Sequence, residues 1–297
     1  MPLTAIDLSK LPPPRAVELQ DYEATLQAML DDFSARYPDF DVPKASDPAY
    51  KILEVAAYQL MLQSQVFNER ALQNLLAFAT GSDLEHIGSM LGVTRQLVRE
   101  EDLTSIPPVP PEYEDDERLR YRIQLSLEGF TSAGSTGAYE FHALKVSPRI
   151  KDVSVTSPSP GVVAVYPLTR EGKGLADEAL IEQIQQALSD DSVRPLTDKV
   201  EVKAPTVHDY HIDMRITLYP GPDHALVLHD IRKRLAEFAM AHHRMGHDIT
   251  LSGLYSAAHI EGVQNVDILT PSTTLVAAPF ETYFCSDIQV SFVGVDI

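Results

Sequence analysis

The chain has no tryptophan, one cysteine, and only 24 basic residues against 43 acidic ones. A single cysteine, Cys285, excludes an internal disulfide framework and fits a reducing compartment. The shortage of positive charge leaves a formal net charge of −19. That disfavours nucleic acid as a main partner, because phosphate binding needs a basic surface, and it disfavours an anionic membrane. Long apolar runs are missing as well. Glu54, Gln59 and a polar belt (Gln63, Ser64, Gln65, Asn68, Glu69, Arg70) interrupt every run well short of the ~20 residues of a membrane span. The first fifteen residues (MPLTAIDLSKLPPPR) lack a basic-then-apolar signal pattern, so assembly in a cytoplasm is expected.

What the chain does have is 44% hydrophobic residues over 297 positions, enough for two or three core-forming domains. A proline-punctuated arm, Leu11-Pro12-Pro13-Pro14, suits a neighbour's surface better than a core. An amphipathic helix follows from Glu18 to Tyr37, with Leu19, Tyr22, Leu26, Met29, Leu30 and Phe33 on one stripe and Pro38 as its stop.

The most informative stretch is Asp47–Val93. Ser46 or Asp47 can cap a helix with Pro48 in its first turn, and no Gly or Pro occurs from Ala49 to Thr80. The pattern therefore predicts one helix over Asp47–Thr80, ~45–50 Å long at about 1.5 Å per residue. Gly81 ends it, Ser82-Asp83-Leu84-Glu85 reads as a capping box for a short second helix, and Gly92 sits at that helix's C-terminal position. Leu53, Leu60 and Phe67 repeat every seven residues, flanked by small Ala57, Ser64 and Ala71. They form a short coiled-coil-like seam that Phe78 extends. A second face carries Val55, Leu62, Leu72, Leu75 and Leu76. Periodicity leaves two readings open: the central helix of one globular domain, or a strand of an intermolecular bundle.

Residues 104–113 (TSIPPVPPEY) read as a stiff linker, and Glu114–Glu128 as a charged helix before a Gly/Ser/Thr turn at 131–137. The pattern then becomes mixed α/β. Helices are expected at Ala138–Val146, Asp177–Leu188, His224–His242 and Leu251–His259. Strands are expected at Val153–Thr156, Val162–Val165, Lys199–Val202, His211–Leu218, Val266–Leu269 and Phe284–Phe292. Two echoes run through this half. The segment from Ile150 to Ser159 resembles the one from Val263, and helix-then-Arg194…Asp198 resembles helix-then-Arg244…Asp248. Two related α/β subdomains are the simplest account.

The candidate chemistry is sparse. His243 and His247 would share a face if their helix continued, and with His242 they make the best metal candidate. Gly246 stands in the way, no acidic residue completes an HExxH arrangement, and histidines at a helix C-terminus complement its dipole. The reading they would support is a soluble metal-dependent enzyme. The loop Ala133-Gly134-Ser135-Thr136-Gly137 opens a helix but lacks a P-loop lysine, so a tight turn with an N-cap explains it better than an anion site. Arg170–Gly174 reads as a solvated loop and Cys285 as a buried structural thiol. No catalytic or cofactor fingerprint is present.

The run DPAYKILEVAAYQLMLQSQVFNERALQNLLAFATGSDLEHIGSMLGVTR resembles the N-terminal signature of the baseplate J-like family of contractile phage tails. The resemblance continues through RLRYRIQLSLEGFTSAGSTGAYEFHALKVSPRIKDVSVTSPSPGVVAVYPL and VRPLTDKVEVKAPT, covering most of residues 47–205 in the family's order. The length suits the compact form in P2-like phages and phage-derived bacteriocins. The resemblance implies a multidomain α+β fold, with long N-terminal helices in an intermolecular bundle followed by two small α/β subdomains. It implies a non-enzymatic wedge component of the baseplate, without cofactor. Implied partners are a second copy, another baseplate wedge protein, neighbouring wedges, the tail hub and sheath-initiating proteins, but neither nucleic acid nor membrane. Assembly would occur in the host bacterial cytoplasm, and the protein would reside in the tail baseplate of a virion or phage-like particle. The corresponding division is an arm and helix (1–45), bundle helix with capping helix (46–93), junction (94–135) and two α/β subdomains (136–205, 206–297), the last carrying ring contacts. The bundle seam would be Leu53, Ala57, Leu60, Ser64, Phe67, Ala71 and Phe78.

Overall fold

The computed structural model describes residues 8–14, 21–38, 44–130, 134–191, 193–221 and 223–297. Among them the chain is mixed α+β, with eight α-helices and three small sheets. It divides into two compact units. One holds the described part of Ala5–Thr94 with Asp115–Ile123; the other holds Arg95–Glu114 and Gln124–Ile297.

In the first unit, α1 (Tyr22–Arg36) begins at Asp21, whose carboxylate accepts the Glu23 amide at 3.1 Å. The predicted start at Glu18, with Leu19, lies outside the described residues. Leu26 and Leu30, one turn apart, bury against Ala57 of α2 (Pro48–Leu72). Asp47 precedes α2, yet its carboxylate accepts the Lys44 amide at 2.8 Å instead of capping the helix.

The predicted helix to Thr80 is corrected: α2 stops at Leu72, giving 25 residues or ~37 Å at about 1.5 Å each. Side chains end it, not Gly or Pro. The Asn74 amide donates back to the Arg70 carbonyl at 3.1 Å, competing with the backbone ladder. Gln73 Oε1 accepts the Thr80 amide at 2.8 Å, folding the chain over a compact turn. Arg120 then supplies donors to two orphan carbonyls, Leu76 at 2.8 Å and Ala79 at 2.7 Å. The capping box is corrected too. Thr80 is the N-cap of α3 (Gly81–Met90), and the Gly81 amide is held by Asp116 Oδ2 at 3.0 Å. Gly92 ends α3 as expected. At φ +70 it closes a Schellman motif, with Val93 N–H on the Gly88 carbonyl at 2.9 Å and its own on Ser89 at 3.1 Å. Asp116 opens α4 (Asp116–Gly129), which buries Leu119 and Ile123 completely.

The second unit begins with an antiparallel pair, β1 (Leu97–Arg99) and β2 (Glu112–Tyr113). The proline-rich segment between them contains no helix, as expected. It is an excursion rather than a linker, however, closed by a two-way bond between Asp102 and Val109 at 2.9 Å. After α5 (Thr136–Val146), capped by Ser135, a sheet of order β3-β4-β5 forms. Here β3 (Ile150–Ser159) and β4 (Val162–Thr169) are antiparallel. The helix α6 (Glu178–Leu188) then crosses to β5 (Lys199–Val202), parallel to β4. Of the turn predicted at 131–137, residues 131–133 lie outside the described residues.

The third sheet has order β7-β6-β8. Its centre, β6 (Thr206–Leu218), buries alternate residues Tyr210, Ile212, Met214, Ile216 and Leu218. These face α7 (His224–His242), whose Val227, Ile231, Leu235 and Ala239 fall on one stripe at four-residue steps. Next come α8 (Leu251–Ala258), β7 (Val263–Thr270) antiparallel to β6, and β8 (Glu281–Val295) parallel to it over thirteen matched positions. β5 matches the expected Lys199–Val202, whereas the other predicted strands run longer because pairing, not composition, sets their ends.

The echoes have a spatial meaning. In each three-stranded sheet the central strand has an antiparallel neighbour on one side and a parallel one on the other. The segments at Ile150 and Val263 are β3 and β7, the antiparallel neighbours, each preceded by a short helix and each burying its first and fourth residues. The helices α6 and α7 each follow the central strand. Chain order differs: β3 comes before α6, whereas β7 comes after α7. That permutation explains why the two echoes have unequal offsets.

Candidate interaction surface

Helix α2 exposes what a folded helix normally hides. Only Ala57 of its 25 residues is fully buried. Ile52 is 69% exposed, Val55 62% and Phe67 68%. Burying one such side chain is worth about 1.5–3 kcal/mol, so this surface forgoes several kcal/mol in the free chain. Tyr22 of α1 joins Glu54, Val55, Tyr58, Gln59 and Met61 to line an open, largely apolar groove of about 590 Å³. Lys51 pairs with Glu54 at 2.7 Å at its polar side.

The predicted seam divides along this helix. Leu53 and Ala57 pack against α1 of the same chain, while Leu60 and Phe67 face solvent. Ser64 and Ala71 are half-buried, and so is Phe78, which lies beyond the end of α2 and out of line with the rest. In the polar belt, Gln65 donates to Glu69 at 3.1 Å, and Asn68 Oδ1 is buried with no hydrogen-bond partner. Periodicity placed Val55 on a second apolar face but missed its exposed neighbours Ile52 and Tyr58, which fall outside the seven-residue repeat.

The histidines do not converge. Helix α7 ends at His242, so the shared helical face of His243 and His247 is not formed. The His242 ring stacks on Phe238 at 3.9 Å and its Nδ1 meets the Phe238 carbonyl at 2.9 Å. His243 is buried against Phe284, and the His247 ring lies 6.1 Å from that of His242. Burial holds both His243 and His247 below the ordinary histidine range. Among the described residues no group of three or more His, Cys, Asp or Glu could hold a metal ion.

Other predicted features resolve into structural parts. Ala133 lies outside the described residues; Gly134 packs against Pro195 and the Asp198 carboxylate, a poor setting for an anion. Asp198 also accepts the Tyr139 hydroxyl at 2.8 Å. The Arg170–Gly174 loop is tied down rather than merely solvated, with Glu171 paired to Arg149 at 3.0 Å and Lys173 paired to Asp209. The Cys285 thiol is raised by burial, the opposite of an activated nucleophile. No described helix is long and apolar enough to cross a membrane.

A model of the baseplate J-like N-terminal domain matches residues 45–102, and one of the baseplate J-like central domain matches residues 131–204. Baseplate protein J of Escherichia phage P2 is 38% identical over 299 residues, covering 98% of this chain and 99% of that protein. A chain in the sixfold-symmetrised cryo-EM structure of the anti-feeding prophage baseplate covers 60% of this chain and 43% of its own length. That likeness has 15% identity and a TM-score of 0.40.

Proposed function

The chain belongs to the baseplate J-like family, and from that premise we propose that it is a structural, non-enzymatic component of a contractile-tail baseplate. The observation that carries this reading is the uncovered apolar face of α2, which a lone chain cannot stabilise. In the proposed assembly, α2 of two copies joins a helix of another wedge protein in a bundle. Leu60, Ser64, Phe67 and Ala71 lie on the shared seam, and Leu53 and Ala57 brace it through α1. Ile52, Val55 and Tyr58 supply a second contact face, as a three-helix bundle requires. The polar belt sets register between chains at some cost in stability.

Residues 46–93 and 94–135 then form the bundle and its junction, and 136–205 and 206–297 the two α/β subdomains. The last of these links neighbouring wedges around the tail hub, next to the sheath-initiating proteins. The chain assembles in the host cytoplasm and resides in the particle's tail. Junctions of this kind would permit rigid-body motion when the tail contracts.

Co-expression with the neighbouring tail proteins, followed by native mass measurement, tests this reading. Two copies of this chain with one partner is the expected stoichiometry. A monomer persisting beside those proteins counts against it. Deleting residues 1–93 should abolish the complex yet leave the α/β region folded.

A further inference from the structure

Residues 97–113 make a two-stranded ribbon without a core. The ribbon comprises β1, β2 and the proline-rich excursion between them, and not one of its residues is buried. Two strands alone have no layer to pack on, and such pairs are marginal in water. Polar staples hold this one instead. At the base, the Glu114 amide bonds to the Gln96 carbonyl at 3.0 Å. Gln96 Nε2 in turn donates to the Lys145 carbonyl near the end of α5 at 2.9 Å. Toward the tip, the Asp102 carboxylate accepts the Thr104 amide at 2.8 Å and the Thr104 hydroxyl at 2.6 Å. Pro107, Pro108, Pro110 and Pro111 fix the backbone of the returning side. What this ordered ribbon displays is apolar. Ile106 is 99% exposed and Leu103 72%, with Leu97, Val98 and Tyr113 also open to water. Order without burial, beneath a run of exposed apolar side chains, marks a surface set in advance for contact.

We propose that Leu97–Tyr113 is a docking arm for a tail protein other than this chain, received by an apolar depression with a basic rim. Charge complementarity selects that occupant. The ribbon carries four acidic residues and one basic one, and the basic one, Arg99, already pairs with Glu112 at 3.1 Å. Glu100 and Glu101 lie exposed between β1 and the tip. A second copy would bring 43 acidic residues against 24 basic ones, so it would meet the arm with like charge. Nucleic acid and an anionic membrane would do the same. Leu103 and Ile106 supply the apolar anchors for the centre of the contact, and Glu100 and Glu101 meet its rim. The arm belongs to the α/β unit, so this contact is separate from the α2 surface. The inference rests on the tail-assembly reading, which places the receiving protein in the same particle.

The test places a photo-crosslinking benzophenone side chain at Ile106 of the full chain and irradiates intact tail particles. The expected adduct joins this chain to a different tail protein, through a peptide that combines apolar residues with Lys or Arg. Glu100→Lys with Glu101→Lys lowers the adduct yield roughly fivefold, and added salt lowers it in the chain without those changes. Leu103→Asp with Ile106→Asp lowers incorporation into particles roughly tenfold, whereas Leu103→Met with Ile106→Val retains it. Circular dichroism of the purified variants gives an unchanged melting midpoint, because none of these side chains is buried. An adduct formed only within this chain, or between its copies, overturns the docking arm and leaves the assembly reading standing. So does the absence of any adduct from particles that contain the chain, or an adduct on a peptide without basic residues. A chain that never enters particles overturns both.

Discussion

Helices α2 and α7 are similar in length and built to opposite ends. Helix α7 is 19 residues long and buries Val227, Ile231, Leu235 and Ala239 against the central strand of its own sheet. Helix α2 is 25 residues long and buries Ala57 alone. The apolar content of α2 is no lower; its cover is missing. The difference teaches that one sequence can carry a finished core beside a helix whose apolar face its own chain leaves uncovered. Amphipathic pattern alone does not separate the two cases, because both helices repeat apolar residues at helical spacing.

The sharpest test of this contrast is truncation on each helix. Leu235→Ala removes a fully buried side chain, and a loss of about 2–5 kcal/mol in denaturant unfolding is expected. Arg120→Met would leave the Leu76 and Ala79 carbonyls without their charged donor, at about 1–3 kcal/mol by the same measurement. That outcome would show that the turn ending α2 is held from a distance; an unchanged stability would show that Asn74 and Gln73 suffice. Asp223→Ala removes the N-cap of α7, whose carboxylate accepts the Ala225 amide at 2.9 Å, and should cost about 1 kcal/mol. Phe67→Ala should change the free chain by no more than about 0.5 kcal/mol while weakening the multichain complex in native mass measurements. A large loss in the free chain would break the comparison, since α2 would then be finished after all.

Acid should act on the α/β unit, which holds His142, His243 and His247. Burial lowers all three from the ordinary value of 6.5, so they fold uncharged while the unfolded chain takes up protons near that value. Their contribution is complete above about pH 6.5 and is lost as pH falls toward the depressed values. Melting curves between pH 8 and 5 should show the midpoint dropping on the acid side, with a shallower drop in His243→Phe.

Much of the α/β region was legible from the sequence because local pattern and tertiary role agree there. The alternation through His211–Leu218 and the four-residue steps of α7 each match one buried face. The end of α2 was not legible. Nothing between Ala49 and Thr80 breaks a helix by composition, and the decisive donor, Arg120, lies more than forty positions away. The interaction surface was half legible for a related reason. Spacing identifies Leu53, Leu60 and Phe67 as apolar partners-in-waiting, but only the fold reveals that Leu53 is already taken by α1.

The permuted order of the third sheet bears on when a newly made chain is ready for use. Its central strand β6 gains its longest neighbour, β8, only after Glu281–Val295 has left the ribosome, about seventy-five residues behind its partner positions. Until then β6 has β7 alone, and an open backbone edge on the side β8 will occupy. A chain cut short before that point would carry the helical surface of α2 without a completed sheet. Completion of this sheet therefore follows, in order of synthesis, the appearance of the α2 surface.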